Sequence, residues 1–153
     1  MTVDVRLATD AADRLASWRI RERVFIGEQG IAEAIERDGL DELSWHFVAW
    51  EGSLACGTAR VFGLDEHHTP TSPAAAKIVK IGRMAVLPER RRLGIGRSLL
   101  EAALDLARTH GAERAELSAQ EYVVPFYERA GFVAEGTRYE EAGIPHRHMS
   151  RRL

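Results

Sequence analysis

The side chains of this sequence that could do chemistry are most concentrated between Met84 and Leu100, where a predicted strand runs through a turn into a predicted helix. The turn carries two glycines in the spacing Gly-x-Gly, at positions 94 and 96, and arginines stand at positions 90, 91, 92 and 97. The first N–H groups of a helix lack backbone partners, and glycines let a phosphate approach them closely. The segment therefore predicts a site for a pyrophosphate group.

Two widespread nucleotide-binding patterns fit this segment poorly. The P-loop requires glycine at position 91 and lysine at position 97, where the sequence has Arg91 and Arg97. The dinucleotide pattern requires a third glycine at position 99, where Leu99 stands. A nucleotide-binding regulatory domain is therefore the weakest of the functional hypotheses.

Two motifs of the chain resemble motifs of the GNAT superfamily of N-acetyltransferases. The first is Arg91-Arg92-Leu93-Gly94-Ile95-Gly96, which resembles the signature (Gln/Arg)-x-x-Gly-x-(Gly/Ala). The second runs from Gln120 through Phe126-Tyr127 to Gly131-Phe132 and is similar to the segment Asn-x-x-Ala-x-x-Phe-Tyr-x-x-x-Gly-Phe. On these motifs the chain is identified as a member of that superfamily.

Further stretches resemble the ElaA-like branch of the superfamily. They are Val-Phe-Ile-Gly-Glu-Gln at 24–29, the acidic residues and histidine of 36–46, Ala-Gln at 119–120, and Gly-Ile-Pro-His-x-x-Met at 143–149. Two positions depart from the branch pattern, because Gly27 replaces an apolar residue and Ala142 replaces an acidic one. The departures concern the details of the acceptor site and leave the expected fold unchanged.

The resemblance implies that acetyl-coenzyme A binds where two parallel strands, at 77–87 and 114–119, splay apart. The backbone of 84–86 would pair with the pantetheine arm and polarise the thioester carbonyl, and N–H groups of the glycine turn would hold the pyrophosphate. The implied donor-binding residues are Met84, Ala85, Val86, Arg91, Arg92, Leu93, Gly94, Ile95, Gly96, Arg97, Ser98, Gln120, Phe126 and Tyr127.

The resemblance also suggests the groups that move protons. Tyr127 matches the family's tyrosine and would protonate the leaving thiolate, since a phenol is protonated at neutral pH. Glu28 and His46 are the leading candidates for the base that deprotonates the amine, with His146 and Asp38 behind them. Water could serve instead of a dedicated base, and Tyr127, Glu28 and His46 could equally be a core tyrosine, a solvated carboxylate and a structural histidine.

Three other patterns have simpler interpretations. His146 and His148 could form a zinc pair on one strand face, but the sequence shows no third ligand, so no metal is predicted. Cys56 lies in an apolar run and is interpreted as a small buried side chain rather than as an acyl-carrying nucleophile. The arginines at 90–92 lack interleaved aromatic residues, so no nucleic-acid partner is predicted.

Hydrophobic periodicity predicts the elements that must position these residues. Strands are predicted over 2–8, 44–50, 53–62, 77–87, 114–119, 132–139 and 146–152, and helices from Thr9 or Asp10 to Phe25, over 94–110 and over 122–130. Gly27 and Gly30 are predicted to break the first helix. The acidic stretch 28–42 is interpreted as a mobile or functional loop with a short helix around 32–37, and its acidic run from Glu33 to Glu42 is interpreted as solvated.

The order of these elements predicts an α/β (α+β) fold. The unit over 77–119 is expected to be a right-handed parallel crossover, and the remaining pairs are expected to be antiparallel. The prediction is therefore a mixed, mostly antiparallel central sheet with helices on both faces, in a single domain over 1–153. This agrees with the GNAT-type acyltransferase fold that the resemblance implies.

Composition excludes several classes of protein. A chain of 153 residues that is 45% hydrophobic and 29% charged is typical of one globular domain rather than of a disordered protein. A net charge of −2 predicts no general attraction to nucleic acid or anionic membranes, and a single cysteine excludes a disulfide framework. No apolar run is long enough to span a membrane and no signal-peptide pattern is present, so the cytoplasm is the expected compartment.

The functional prediction is an acetyl-CoA-dependent N-acyltransferase that acetylates a small-molecule or peptide amine by direct attack in a ternary complex. The alternative is a non-catalytic acyl-CoA-binding module or sensor. The acceptor is not predicted, although the acidic run from Glu33 to Glu42 would suit a cationic amine. A homodimer is considered only because it is common in the family.

Overall fold

Eight strands and four α-helices form the part of the chain that the computed structural model describes, residues 2–153. The strands are β1 (Asp4–Leu7), β2 (Trp45–Glu51), β3 (Leu54–Leu64), β4 (Pro70–Thr71), β5 (Ile78–Val86), β6 (Arg114–Gln120), β7 (Val133–Glu141) and β8 (Ile144–Arg152). The helices are α1 (Ala11–Arg21), α2 (Glu33–Glu36), α3 (Ile95–Thr109) and α4 (Val124–Arg129). Only β4, which lies between the strands predicted over 53–62 and 77–87, was missing from the predicted order.

The strands form one sheet in the order β1-β2-β3-β5-β6-β8-β7, with β4 paired to β3. The β5–β6 pair is parallel and every other pair is antiparallel. Because α3 connects β5 to β6, the predicted parallel crossover unit is confirmed. The prediction of a mixed, mostly antiparallel sheet is confirmed as well.

Helix α3 packs its apolar stripe on one face of the sheet. Leu99, Leu100, Ala103 and Ala107 are fully buried, as the helical periodicity predicted. The helix lies so close to β3 that a Cβ added at Gly57 would stand 2.9 Å from the Leu99 side chain. This close approach makes the face of α3 the centre of the hydrophobic core.

Helix α1 covers part of the opposite face. Asp10 caps its start by accepting a hydrogen bond from the Asp13 N–H at 2.8 Å, as predicted. A buried hydrogen bond of 2.6 Å between Ser17 and Thr58 fastens the helix to β3. Helices therefore lie on both faces of the sheet, but polar side chains of β6 and β8 occupy the rest of the α1 face.

The first helix continues beyond α1 as a π-helical segment over Glu22–Glu28. The prediction that Gly27 breaks the helix is wrong, because Gly27 lies inside this segment without a positive φ. Val24 and Phe25 are buried in the core, and that packing holds the segment helical. The segment ends before Gly30, whose φ of 70° matches the predicted break at that position.

Candidate active site

The strands β5 and β6 separate at the end of their pairing. Their parallel ladder runs from Ile78↔Arg114 to Ile81↔Leu117 and then stops. A bulge in β5 causes the separation: Thr58↔Ala85 and Arg60↔Gly82 place three steps of β5 against two of β3, and Arg83 has a φ of 48°. Beyond Ile81, the β5 edge that faces β6 therefore has no strand partner within residues 2–153.

The open edge of β5 leads into the glycine turn. After a short 3₁₀ turn at Pro88–Arg90, the chain passes through positive φ angles at Arg92 (64°) and Gly94 (82°) and enters α3. The first backbone hydrogen bond of the helix runs from the Ser98 N–H to the Gly94 C=O at 3.1 Å. The N–H groups at 95–97 precede this first bond and have no helical C=O partner. Because Gly94 supplies no capping side chain, these N–H groups are available to an anion.

Three of the four arginines around the turn are paired with carboxylates, which the sequence analysis did not anticipate. Arg91 donates two hydrogen bonds to Glu28, one of 2.7 Å, and a third of 2.9 Å to the Val86 C=O. The other two pairs are Arg90–Glu51 at 3.1 Å and Arg97–Glu101 at 2.9 Å. Within residues 2–153 Arg92 has no such pair, so it is the guanidinium most available to a phosphate.

Tyr127 is buried against the same opening. Its hydroxyl donates a hydrogen bond of 3.4 Å to the Met84 thioether sulfur, a weak acceptor. Its ring packs edge-on against Phe126 and Phe132. Burial, aided by the neighbouring Tyr122, raises the pKa of Tyr127, which keeps the phenol protonated.

The other predicted donor-binding residues surround the opening. Ala85 and Val86 continue β5, Leu93 is exposed in the turn, and Ser98 lies in the first turn of α3. A Cβ added at Gly96 would stand 3.5 Å from the Phe126 ring, which places α4 beside the start of α3. The structure therefore brings the elements that carry both family motifs to one end of the sheet.

Gln120 and Gln29 join the two sides of the opening on the α1 face. Gln120 is the last residue of β6, and its amide exchanges hydrogen bonds of 2.9 and 3.3 Å with the amide of Gln29. Gln29 directly follows the π-helical segment. Gln29 was not among the predicted site residues, although it ends the 24–29 stretch that resembles the ElaA-like branch.

The two leading candidates for the base have other partners in this structure. The hydrogen bonds from Arg91 lower the pKa of Glu28. His46 lies on β2, two strands from β5, with Nε2 only 2.8 Å from the Asp41 C=O, and burial lowers its pKa. A base role for Glu28 or His46 therefore remains a prediction.

Three acids of the acidic stretch 28–42 are neutralised by arginines. Glu36 is buried and accepts hydrogen bonds of 2.8 and 2.9 Å from Arg21. The interpretation of the acidic run as solvated is therefore wrong for Glu36, Asp38 and Asp41, which arginines from three elements bond, whereas Glu33 and Glu42 are exposed. The other contacts are Arg21–Asp41 at 2.9 Å, Arg60–Asp38 at 2.7 Å, Arg60–Asp41 at 3.0 Å and Arg83–Asp38 at 3.2 Å.

Neither an acyl-carrying cysteine nor a zinc pair is supported by the surroundings of Cys56, His146 and His148. Cys56 is fully buried, its thiol contacts the Ala49 C=O at 3.3 Å, and burial raises its pKa. His146 and His148 share a strand face, but no three metal-binding side chains converge anywhere in residues 2–153. No helix in that range combines the length and the apolar character needed to cross a bilayer.

The chain is similar over nearly its whole length to proteins named as acetyltransferases or acyltransferases. Residues 21–153 match the family model described as an acetyltransferase (GNAT) domain. The Bacillus subtilis (strain 168) protein named uncharacterized N-acetyltransferase YjcF is 32% identical over 134 residues, which cover 87% of this chain and 88% of that protein. A crystal structure of an acyl-CoA N-acyltransferase from Pseudomonas aeruginosa has a TM-score of 0.81 and 30% identity, covering 98% of this chain and 99% of that one.

The crystal structure of Escherichia coli ElaA is also similar, with a TM-score of 0.82, 25% identity and coverage of 98% of this chain and 99% of that one. This likeness agrees with the branch that the stretches at 24–29 and 143–149 indicated. The matched region contains the split strands, the glycine turn and α4. The chain therefore belongs to the GNAT family of acetyltransferases.

Proposed function

We propose that this protein transfers an acetyl group from acetyl-CoA to the amine of a small molecule or peptide, by direct attack in a ternary complex. One observation carries the proposal: the β5 edge left open by β6 leads directly into the uncapped start of α3. The open strand edge suits the extended thioester arm of acetyl-CoA, and the uncapped helix start suits its pyrophosphate. The two features follow each other directly along the chain, as the two parts of acetyl-CoA do.

The donor is bound mainly by backbone groups in this proposal. The pantetheine arm adds to the edge of β5 at Met84–Val86, as an extra strand would. The pyrophosphate accepts hydrogen bonds from the N–H groups of Gly94, Ile95, Gly96 and Arg97, and Arg92 adds an unneutralised charge. Arg91 joins them when it releases Glu28 and the Val86 carbonyl.

Tyr127 stabilises the leaving group. The amine nitrogen attacks the thioester carbon, a C–N bond forms, the C–S bond breaks, and the sulfur leaves with the electron pair. The Tyr127 hydroxyl now points at the Met84 sulfur, and a thiolate in that place would be a far better acceptor. Because the pKa of Tyr127 is raised above that of a thiol, Tyr127 acts as a hydrogen-bond donor and the thiol obtains its proton from the amine.

The protons balance in this scheme. The acceptor enters as an ammonium and leaves as a secondary amide, so its nitrogen loses two protons. One proton neutralises the coenzyme A thiolate and the other passes to solvent. No covalent acyl-enzyme is required, in agreement with the buried position of Cys56.

Calorimetry and a thiol-release assay test the proposal. Acetyl-CoA should bind the wild-type protein, and ATP and NAD, as controls, should not. With an accepted amine, the Tyr127→Phe variant should keep its affinity for acetyl-CoA and lose most of its turnover. Binding of acetyl-CoA with no transfer to any amine would favour the acyl-CoA sensor, and absence of acetyl-CoA binding would refute both functions.

A further inference from the structure

His146 lies level with the opening between β5 and β6. The antiparallel register of β6 and β8 places His146 directly opposite Gln120. Continuing the β5–β6 register past Ile81↔Leu117, with the extra residue of the β5 bulge allowed for, places Ala85 level with Gln120, and Met84, which touches Tyr127, directly precedes Ala85. The Met84–Ala85 segment, Gln120 and His146 therefore lie at one level across three strands, and His146 is one strand spacing, about 4.8 Å, beyond the β6 edge.

His146 also lies on a particular face of the sheet. Directly opposed residues of an antiparallel pair point to the same face, so His146 shares the α1 face with Gln120 and Gln29. Tyr127 belongs to α4, which packs beside the start of α3 on the other face. An amine that approaches from the α1 face would pass His146 before it reaches a thioester held at Met84.

The hydrogen bonds of His146 determine which nitrogen can accept a proton. Its Nδ1 is 2.6 Å from the Ile144 C=O, and a carbonyl only accepts, so Nδ1 carries the hydrogen of the neutral ring. The lone pair of the neutral ring is then on Nε2, which is 3.5 Å from a carboxylate oxygen of Glu141. The side chain of His146 is only 8% exposed, so the ring is held in place rather than free in solvent.

Two neighbouring side chains orient the His146 ring. Glu141 is 56% exposed, stands beside Nε2, and is approached by the Ser118 hydroxyl at 3.5 Å. The Tyr139 ring stacks on the imidazole, with ring centroids 6.0 Å apart. The carboxylate beside Nε2 and the stacked Tyr139 ring together fix the orientation of the imidazole.

We propose that His146 is the base that deprotonates the acceptor ammonium, and that Glu141 is its positioning partner. This inference rests on the proposed function, and it takes the place of Glu28, which is engaged by Arg91, and of His46, which lies two strands from β5. Nε2 accepts one proton from the ammonium and later returns it to solvent along Glu141. The second amine proton neutralises the coenzyme A thiolate, so the ring ends each turnover neutral.

Matched histidine variants test this role. His148 lies two residues further along the same face of β8 and is directed to Glu116, so His148→Gln is the control for His146→Gln. Both variants would be assayed with benzylamine, spermidine and L-glutamate as amine probes, by release of the coenzyme A thiol. Acetyl-CoA affinity would be measured by calorimetry, and the neutral tautomer of His146 by nitrogen-15 NMR.

We expect His146→Gln to lower kcat by about a hundredfold or more, with acetyl-CoA affinity and thermal midpoint unchanged, while His148→Gln retains the wild-type rate. A His146→Ala variant should regain part of its turnover when free imidazole is added. A neutral ring that carries its hydrogen on Nε2 would overturn the inference, as would equal rates for the two glutamine variants. If the wild-type protein transfers acetyl to none of the three amine probes, the proposed function is refuted for these amines. The role of His146 as the base is then refuted as well, because it rests on that function.

Discussion

Asp38 is expected to stabilise the fold although it lies in a segment that the sequence presents as a loop. Its carboxylate bonds both terminal nitrogens of Arg60, at 2.8 and 2.7 Å, and accepts a third bond from the Leu40 N–H at 3.1 Å. Burial alone would raise the pKa of Asp38, but these hydrogen bonds and the charges of Arg60 and Arg83 lower it from 3.8 to about 2. The perturbation we choose is Asp38→Asn, which removes the charge and keeps the shape.

The magnitude follows from the pKa. A shift of one pKa unit is worth about 1.4 kcal/mol, so the change from 3.8 to about 2 would correspond to roughly 2.5 kcal/mol, which solvent screening of this partly exposed carboxylate reduces to about 2 kcal/mol of unfolding free energy at neutral pH. Because the folded-state pKa is the lower one, this stabilisation is present above about pH 4 and is lost as the pH falls toward 2. For a chain of this length, the loss of this stabilisation in the Asp38→Asn variant lowers the thermal midpoint by roughly 4–8 °C.

Urea unfolding at a series of pH values measures this effect. Glu42→Gln is the matched control, since Glu42 is an exposed neighbour in the same loop. The difference between the two variants should be about 2 kcal/mol at pH 7 and should shrink steadily between pH 4 and pH 2. Equal stability of the two variants at pH 7, or a difference that persists at pH 2, would refute the reasoning.

Three further predictions concern the opening and its surroundings. Arg92→Gly relieves a positive φ of 64° but removes the one unpaired guanidinium of the turn. Calorimetry should therefore show acetyl-CoA affinity falling about tenfold, with the free energy of unfolding changed by less than about 1 kcal/mol. Unchanged affinity would contradict a contact between Arg92 and the phosphate. Glu28→Gln should raise acetyl-CoA affinity in the same assay, because it frees Arg91, and a lower affinity would exclude this competition. The Cys56 thiol should resist a thiol reagent until the protein unfolds, and Cys56→Ala should keep its transfer activity; loss of transfer would point to an acyl-enzyme.

Local patterns made much of the fold predictable. The stripe that predicted α3 is the buried stripe, and Gly94 and Gly111 lie at its two ends with positive φ angles of 82° and 92°. The hairpin of β2 and β3 turns at Gly52, in the two-residue gap between the strands predicted over 44–50 and 53–62. In these segments the residues that determine the structure are neighbours in sequence, so a short window contains the cause.

Features that depend on distant partners could not be predicted from the sequence. Arg21 and Glu36 are separated by 15 residues and Arg83 and Asp38 by 45, so the acidic stretch gave no sign of its neutralisation. Gly27 remains helical because the buried Val24 and Phe25 hold the segment, which outweighs the usual effect of glycine. The Arg91–Glu28 pair could not be predicted for the same reason, because each residue taken alone is an ordinary charged side chain.

The bulge at Arg83 couples the two sides of the candidate site. The extra residue separates β5 from β6 and so opens the edge for the donor. The same residue sends its guanidinium to the Glu36 C=O at 3.0 Å and to Asp38, which ties the segment after the π-helix to β5. Gln29, at the start of that segment, is thereby kept against Gln120 at the mouth of the opening. The local distortion that makes room for acetyl-CoA therefore also holds the wall past which an acceptor must enter, so substitutions at Arg83 should affect donor binding and acceptor use together.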